Sequence, residues 1–279
     1  MYSISANRLS TADTSGDVAM VTPLVTIIVP VYNLESYVAH GLKSLLAQTY
    51  SHLQIIVIDD ASSDRSPQIV TRFAQRDRRI QAILKPVNQG VSAARNSGLE
   101  QARGELVAFM DGDDWYEPDF IAHAVDVMTQ GWDLIAMPFF RDDPNPRPVQ
   151  EHLRKAKQLT RKGLIRQMLH PIGYIRGYLW NKVFRRDVIE RLQLRFDEQM
   201  SIMEDELFTA TYVMATRHFL YTGHPAYHHV VRRDSATQSL GVLGAIPQQL
   251  YALWRIHHVL RHAHRYEKGT KKEAIKIDH

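Results

Sequence analysis

The sequence predicts an α/β fold in which a mostly parallel central sheet is flanked by helices. From Val25 onward, short runs rich in β-branched residues alternate with amphipathic runs at helical spacing, as in the βα units that build a parallel sheet. The apolar runs at residues 53–58 and 106–110 have the length of strands buried on both faces. Both runs are far shorter than the ~20 residues that a membrane-spanning helix needs.

The composition is typical of one elaborated globular domain. The chain has 279 residues, 44% of them hydrophobic, and its net charge of +4 favours phosphates or an anionic surface as partners. The absence of cysteine excludes disulfides, a thiolate nucleophile and cysteine-ligated metals, and it is compatible with a reducing, cytoplasmic setting. Residues 1–22 lack the charged and apolar regions of a signal peptide, so we expect a disordered leader there.

The first half of the chain predicts strands that alternate with helices. The strands are predicted at residues 25–29, 53–58, 80–84, 106–110 and 134–137. Pro30 is expected to end the first strand, because proline lacks the N–H that a ladder uses. One helix carries Val38, Leu42 and Leu45 at helical spacing, and the next opens with Ser66 as its N-cap and Pro67 in its first turn. Further helices are predicted from residue 91 to residue 102 and from Pro118 onward.

The second half has a mixed pattern. Residues 142–148 are rich in proline and predict a loop. Helices are expected at residues 160–169 and 204–215, strand-like segments at 218–221 and 226–231, and a basic helix at 251–266. The chain therefore predicts a mainly helical extension at its C-terminal end.

Three polar motifs follow the first, second and fourth predicted strands, at residues 30–33, 59–64 and 111–114. In parallel sheets, ligands bind beyond the carboxyl ends of the strands. Carboxylates that converge there repel one another unless a cation neutralises them, and all-oxygen ligands favour Mg²⁺ or Mn²⁺. The alternative is that these residues form turns and helix caps, which suits Asp64 and Ser66. Three carboxylates within residues 111–114 exceed what capping requires.

Several other kinds of site are excluded, some by the residues that these motifs contain and others by motifs that the sequence lacks. Trp115 and Tyr116 occupy loop positions where an EF-hand needs an oxygen ligand and a glycine. The sequence has no P-loop, no dinucleotide fingerprint and no hydrolase elbow, so diphosphate binding would need a metal and basic side chains. Arg95 is the candidate for that role, and a solvated helix arginine is the alternative. Acidic residues at 204–206 suit the first turn of any helix.

Residues 25–114 resemble glycosyltransferase family two, the inverting enzymes of the GT-A fold. The shared motifs are Pro-x-Tyr-Asn at 30–33, Leu-x-Gln-Thr at 46–49, Ile-Asp-Asp-x-Ser-x-Asp at 58–64, Asn-x-Gly-x-x-x-x-Arg-Asn at 88–96 and Asp-x-Asp-Asp at 111–114. Downstream, residues 180–184 and 204–205 are similar to blocks of exopolysaccharide and teichoic-acid type members. The resemblance implies a GT-A domain over residues 23–235, with a nucleotide-sugar half at 23–140 and an acceptor half at 141–235, before a basic extension at 236–279.

The resemblance also implies roles for individual residues. The nucleotide-sugar would contact Pro30, Tyr32, Asn33, Glu35, Asp60, Asn88, Arg95, Asp111, Asp113, Arg232 and Ser235. Within this set, Asp60 would meet the base, Asp111 and Asp113 would bracket ribose and metal, and Arg232 and Ser235 would close over the diphosphate. Asp113 and Asp114 would be the metal ligands, with Asp114 as the direct one. Asp205 would be the catalytic base.

The expected cofactor is Mn²⁺ or Mg²⁺, the expected donor is a nucleotide-diphospho-sugar, with UDP favoured, and the acceptor is a glycan, a polyol-phosphate or a lipid-linked molecule. Two alternatives stay open: a catalytically silent nucleotide-sugar binding module, and a basic protein that binds nucleic acid or a membrane surface. The second alternative depends on Trp254, Arg255, His257, His258, Arg261 and Arg265. Such a helix marks a solvated or peripheral membrane face more often than a nucleic-acid site, which places the protein in the cytoplasm or at the inner face of the membrane. A homo-oligomer is also left open.

Overall fold

The computed structural model describes residues 22–143, 155–170, 175–232, 242–262 and 266. All but the last residue of the predicted leader at 1–22, most of the proline-rich loop and Ser235 lie outside the described residues. Strands and helices alternate through the first half, which confirms the predicted element order there. These elements are β1 (Val25–Val31), α1 (Val38–Leu46), β2 (Leu53–Asp59), α2 (Ser66–Arg76), β3 (Ile80–Leu84), α3 (Val91–Gln101) and β4 (Leu106–Phe109).

The second half has more short strands than the sequence predicted. Its elements are β5 (Trp115–Tyr116), α4 (Phe120–Met128), β6 (Leu134–Ala136), β7 (Phe139–Asp142), β8 (Lys157–Leu159), α5 (Arg161–Leu169), β9 (Lys182–Arg185), α6 (Arg186–Leu192), α7 (Glu204–Met214), β10 (Phe219–Tyr221), β11 (Tyr227–Val230) and α8 (Val242–Arg261). The basic helix begins nine residues before the predicted residue 251. No helix in the described ranges is long and apolar enough to cross a membrane.

The central sheet has the order β3-β2-β1-β4-β9-β6-β10-β8. β1 pairs in parallel with β2 and with β4, and β2 pairs in parallel with β3. β9 is antiparallel to both β4 and β6, and β8 is antiparallel to β10. The sheet is therefore mixed, and β9, inserted from late in the chain, joins its two halves.

The first strand does not end at Pro30, and this prediction was wrong. β1 continues to Val31 in register with β2, whereas its pairing with β4 stops at the Ile28–Phe109 pair. Met110 donates its N–H to the carbonyl of Ile28 on the β4 side, and Pro30 faces the same side two residues later. Since β4 has already ended there, the missing N–H of Pro30 breaks no ladder bond.

Alternate residues of β1 pack into the cores on the two faces of the sheet. Ile28 belongs to the cluster that contains Phe109, whereas Ile27 and Val29 belong to the cluster that contains Leu42. Every residue of β1 and of β2 is buried, as expected for inner strands of a sheet that is covered on both faces. These strands form a rigid base for the loops at their carboxyl ends.

A small second sheet, in the order β5-β11-β7, stands beside the end of β4. β11 pairs antiparallel to β5 and parallel to β7. The predicted strand-like segment at 226–231 is β11, but sequence patterns missed β5 and β7, which are two and four residues long, because strands this short cannot show a period. The small sheet brings residues 227–230 next to the motif at 111–114.

Candidate active site

The loops that follow β1 and β2 are fastened together by hydrogen bonds. Asn33, whose φ is 52°, donates its backbone N–H to Ser62 Oγ at 2.9 Å and accepts one from Ser63 N at 2.8 Å. Glu35 Oε2 accepts from Arg65 N at 2.9 Å and from Arg65 Nε at 3.2 Å. These bonds lower the pKa of Glu35. Asn33 and Glu35, predicted to contact the nucleotide, therefore hold the two loops in register.

Asp64 and Ser66 complete this fastening. Asp64 accepts from Ser66 N at 2.8 Å and, with its other oxygen, from Glu35 N at 2.9 Å. Ser66 is the first helical residue of α2 rather than its N-cap, and its Oγ accepts from Leu34 N at 2.8 Å. The sequence therefore identified the start of the helix, but Asp64 performs the capping that was assigned to Ser66.

Asp60 fixes the turn that leads into α3. Its buried carboxylate accepts from Gly90 N at 2.7 Å and from Gln89 N at 3.1 Å, and Lys85 Nζ lies 3.3 Å from it. Gly90 has φ 89°, a value that favours glycine. Backbone amides thus already occupy the carboxylate that was predicted to meet the base.

Three residues of the predicted nucleotide set are exposed in the loops that follow β1 and β3: Tyr32, which is 49% exposed, Asn33 and Asn88. Pro30 lies beneath the neighbouring loop, where a Cβ on Gly112 would come within 2.8 Å of the Pro30 carbonyl oxygen. Glycine at 112 therefore allows the loop of residues 111–114 to lie directly against the end of β1.

Arg95 joins the two acidic motifs. It is 6% exposed, and it donates from Nη1 to Glu204 Oε1 at 2.8 Å and from Nη2 to Asp111 Oδ1 at 3.1 Å. Burial by itself would lower the pKa of Arg95, but the Asp111 and Glu204 carboxylates raise it above its ordinary value. One guanidinium thus connects the end of β4 to the start of α7, elements that are far apart in the sequence.

Asp113 is paired with Arg232, which the sequence placed at the donor diphosphate. Arg232 Nε lies 2.6 Å from Asp113 Oδ2, and the guanidinium also covers the ring of Tyr37. Burial raises the pKa of Asp113 and the neighbouring Asp111 charge raises it further, whereas Arg232 opposes the shift. The pair places one cation and one carboxylate on the same side of the crevice.

Asp114 anchors the small sheet. Its side chain is completely buried, and it accepts from Tyr227 Oη at 2.5 Å and from Val230 N at 2.8 Å, with His229 Nδ1 at 3.3 Å. Burial raises the pKa of Asp114 to about 6. Both oxygens are already used by β11, which favours a structural role over the predicted role of direct metal ligand.

The carboxylates of Asp111 and Asp113 could hold a divalent metal if the phosphates of a bound substrate supplied further ligands. Within the described ranges, no group of three or more histidine or acidic side chains is arranged to hold an ion. The side chains of Asp111 and Asp113 are 31% and 16% exposed. A divalent cation held by one or two carboxylates, substrate phosphates and water is the usual form of a magnesium site. The geometry therefore favours Asp111 and Asp113 as the ligand pair.

Asp205 lies in the first turn of α7, beside the Arg95 bridge. Its Oδ1 accepts from Glu206 N at 2.9 Å. Burial raises the pKa of Asp205 well above its ordinary value, and the Glu206 side chain raises it further while Arg95 lowers it. A carboxylate in this environment is a stronger base than an exposed one. The Arg95 bridge therefore connects the motif of residues 111–114 to the first turn of α7, which carries the predicted base.

An aromatic wall, defined by Tyr178, Trp180, Tyr227 and His229, was not predicted. Trp180 stacks on Tyr178 at 4.9 Å, on Tyr227 at 4.5 Å and on His229 at 5.2 Å between ring centroids. Tyr227 and His229 are the residues that hold Asp114. The segments at 180–184 and 226–231 were sequence signals for parts of this wall, but the pattern did not indicate that they pack together, because they lie far apart in the chain.

Comparisons with known proteins identify the family and the fold of this chain. A family model described as glycosyl transferase family 2 matches residues 26–193. The putative glycosyltransferase EpsH of Bacillus subtilis (strain 168) is 33% identical over 223 residues, which cover 78% of this chain and 64% of EpsH. The succinoglycan biosynthesis protein ExoO of Rhizobium meliloti (strain 1021) is 30% identical over 203 residues, which cover 68% of this chain and 55% of ExoO. The chain thus spans less than two thirds of the length of these relatives.

Two groups of solved structures share the fold. S. aureus TarS 1-349 in complex with UDP-GlcNAc matches with a TM-score of 0.68 at 21% identity, covering 91% of this chain and 76% of TarS. The mannosyltransferase PcManGT from Pyrobaculum calidifontis in complex with GDP-Man and Mn²⁺ matches with a TM-score of 0.60 at 20% identity, covering 90% of this chain and 73% of PcManGT. The GT-A fold that the sequence motifs implied is thereby confirmed.

Proposed function

Because this chain belongs to glycosyl transferase family 2, we propose that it transfers a sugar from a nucleotide-diphospho-sugar to an acceptor hydroxyl, with inversion at the anomeric carbon. The observation that carries the proposal is the Arg95 bridge, which holds Asp111 and Glu204 within hydrogen-bond distance of one guanidinium. The bridge thereby connects the loop that carries the carboxylates suited to the donor to the helix turn that carries Asp205, the carboxylate suited to the acceptor. A UDP-sugar is the favoured donor, since TarS is described with UDP-GlcNAc.

Asp205 performs the proton transfer in this proposal. Its raised pKa makes it a carboxylate that accepts a proton more readily than one in water. The acceptor oxygen attacks the anomeric carbon and gives its proton to Asp205. The bond from that carbon to the diphosphate oxygen breaks, and the nucleoside diphosphate leaves with the electron pair. Attack from the face opposite the leaving group inverts the configuration.

The donor side consists of the loops after β1, β2, β3 and β4. The exposed Tyr32 and Asn88 are placed to contact the nucleotide at the mouth of the crevice. Mn²⁺ or Mg²⁺ held by Asp111 and Asp113 would supply the positive charge that neutralises a departing diphosphate. Arg232, beside Asp113, is positioned for the same phosphates. Both Nη groups of Arg95 are engaged by carboxylates, which favours orientation of Asp111 over direct diphosphate contact.

A binding test examines the donor half of the proposal. Nucleotide-sugars are screened by thermal shift with and without Mn²⁺, because a ligand that binds only the folded state raises the melting temperature. We expect a shift with one nucleotide-sugar that depends on Mn²⁺ and is lost in Asp113→Ala. The exposed Glu190 on α6 provides the control Glu190→Gln, which keeps the shift. No shift with any nucleoside diphosphate would refute the proposal.

A transfer assay separates an enzyme from the alternative of a silent binding module. Incubation of the bound donor with candidate acceptors and with water alone should release nucleoside diphosphate. Binding without any release would favour the silent module.

We infer that the acceptor is a glycan, a polyol-phosphate or a lipid-linked molecule, and that the protein acts at the inner face of the membrane. ExoO is named for the biosynthesis of the polysaccharide succinoglycan. On α8, Ile246, Leu250, Leu253 and Trp254 are 45% to 62% exposed at spacings that put them on one helix face. The helix has no acidic residue, and the exposed Arg261 continues the same face. An apolar face with basic residues suits the interface of an anionic bilayer.

Sedimentation with vesicles tests the membrane contact. The chain should sediment with vesicles that contain phosphatidylglycerol and much less with phosphatidylcholine alone, and the double variant Leu250→Ser with Trp254→Ser should stay in the supernatant. Size-exclusion chromatography of the same pair tests a homo-oligomer. A change of oligomeric state without any vesicle binding would assign this face to a second copy instead.

A further inference from the structure

Lys182, at the start of β9, has a completely buried side chain that is surrounded by acceptors. Its Nζ donates to the carbonyl of Arg176 at 2.7 Å, to the carbonyl of Tyr178 and to Asn181 Oδ1 at 3.0 Å. The Asn181 amide is oriented because its Nδ2 donates to the Met137 carbonyl at 2.8 Å. Three acceptors require three N–H donors, which an ammonium has and a neutral amine lacks. The geometry therefore requires a charged lysine.

The segment that Lys182 holds, residues 176–178, is pressed against the start of α7. A Cβ on Gly177 would lie only 2.2 Å from Glu206 Cγ, so no larger residue fits at that position. From the next turn of the same helix, Thr209 Oγ1 donates to the Gly177 carbonyl at 3.0 Å. The three carbonyls of this short segment are thus fixed by Lys182 and by α7, directly beside the proposed base.

The charges around Asp205 are balanced by two buried cations. Arg95 reaches the group from α3 through Glu204, and Lys182 lies behind the segment that covers Glu206. Burial lowers the pKa of Lys182 to about 7, whereas the Asp205 and Glu206 carboxylates raise it. None of the three hydrogen-bond acceptors of Lys182 is a carboxylate. Its positive charge is therefore not neutralised by a direct partner, and it acts on Asp205 and Glu206 together.

We propose that Lys182 is a positioning residue for sugar transfer: it fixes residues 176–178 as one wall of the acceptor site and keeps Asp205 in its ionised, proton-accepting form. This inference rests on the proposed function. The segment of residues 176–178 contains Tyr178, which stacks on Trp180, and Arg176, whose guanidinium lies over the Tyr178 ring. An aromatic face with a cation beside it suits an acceptor sugar that carries a phosphate or a carboxylate.

The test compares Lys182→Met with the wild-type chain after donor binding and transfer by the wild type have been measured. Removal of the cation should raise the pKa of the base, because a nearby positive charge favours the ionised carboxylate. The acid limb of the kcat profile should then move to higher pH, and kcat at neutral pH should fall at least 10-fold. Nucleotide-sugar affinity should stay within about 2-fold, since Lys182 does not line the donor side.

Two further variants keep the test decisive. Tyr212→Phe removes a buried hydroxyl of α7 that donates to the Asp133 carbonyl at 2.7 Å, so it should lower the melting temperature without moving the acid limb. Gly177→Ala disturbs the same wall through Glu206 and should lower kcat even where Lys182→Met fails to fold. An unmoved acid limb in Lys182→Met, or normal kcat in Gly177→Ala, would overturn the inference. Absence of wild-type transfer would instead refute the proposed function.

Discussion

The acidic residues of the two halves of the molecule are held in opposite ways. In the clasp, defined as residues 33–35 with residues 62–66, the carboxylates of Glu35 and Asp64 accept backbone N–H groups from neighbouring loops. These bonds lower the pKa of Asp64 even though burial acts in the other direction. In the α7 acid group, defined as residues 204–206, burial raises the pKa of Glu204 and of Asp205. Carboxylates satisfied by amides support the fold, whereas carboxylates buried against each other are suited to chemistry.

The largest expected effect comes from removing the base in the α7 acid group. Asp205→Asn should lower kcat for transfer by about 10²- to 10⁴-fold, the usual contribution of general-base catalysis, and leave donor affinity within a few-fold. Steady-state transfer and donor titration measure the two quantities. The exposed Glu190→Gln variant should transfer normally. Normal transfer by Asp205→Asn would remove Asp205 from the mechanism. The α7 acid group would then have no catalytic role to distinguish it from the clasp.

Loss of the bridge between the halves should reduce stability most. Arg95→Met leaves the buried Glu204 without its partner and should lower the free energy of unfolding by about 3–5 kcal/mol, as expected when one member of a buried ion pair is removed. Denaturant unfolding measures this change. Arg65 pairs with Glu35 in the clasp but is 82% exposed, so Arg65→Met should change stability little. Equal effects of the two variants would contradict the distinction between bridge and clasp.

A variant of Asp114 tests whether this residue has a structural role while Asp111, in the same motif, binds the metal. Asp114→Asn weakens buried hydrogen bonds to Tyr227 and Val230 and should cost about 1–3 kcal/mol of stability. Its Mn²⁺-dependent donor binding should persist, whereas Asp111→Ala should lose it. Titration of the donor with and without Mn²⁺ separates the variants. Loss of metal dependence in Asp114→Asn would restore Asp114 as the direct ligand that the sequence motif implied.

The smallest expected effect is on stability. The contributions of Asp64 in the clasp and of Asp205 in the α7 acid group should have opposite signs at pH 7. A carboxyl whose pKa is lowered on folding stabilises the protein above its unfolded pKa, and this contribution is lost as pH falls through the folded pKa. A carboxyl whose pKa is raised on folding lowers the stability above its unfolded pKa, because its ionised form is less favourable in the folded state than in the unfolded state. Asp64→Asn should therefore lower the melting temperature at pH 7, and Asp205→Asn should raise it. Both differences should shrink toward pH 3, and shifts of the same sign would contradict the comparison.

The predictions from sequence were most successful where structure is local. The strands at residues 53–58 and 80–84 and the helix at 160–169 were found within one or two residues, because burial on both faces or an apolar helix face is written into a short window. Pro30 was misjudged because its effect depends on where β4 ends. The strand-like segment predicted at 226–231 corresponds to β11, whereas β5 and β7 were missed because each needs a partner from a distant part of the chain.

The amino-acid sequence by itself determined the alternation of strands and helices, the acidic motifs at strand ends and the family to which they belong. Tertiary structure decided what each carboxylate does, since that depends on its neighbours. Asp60, Asp64 and Asp114 look alike in the sequence to Asp111 and Asp113, yet backbone N–H groups or the Tyr227 hydroxyl occupy the first three, whereas Asp111 and Asp113 pair with arginine side chains. Lys182 lies beside the base only because β9 inserts between β4 and β6. Pairings across such long separations leave no periodic signal in the chain, so packing alone reveals them.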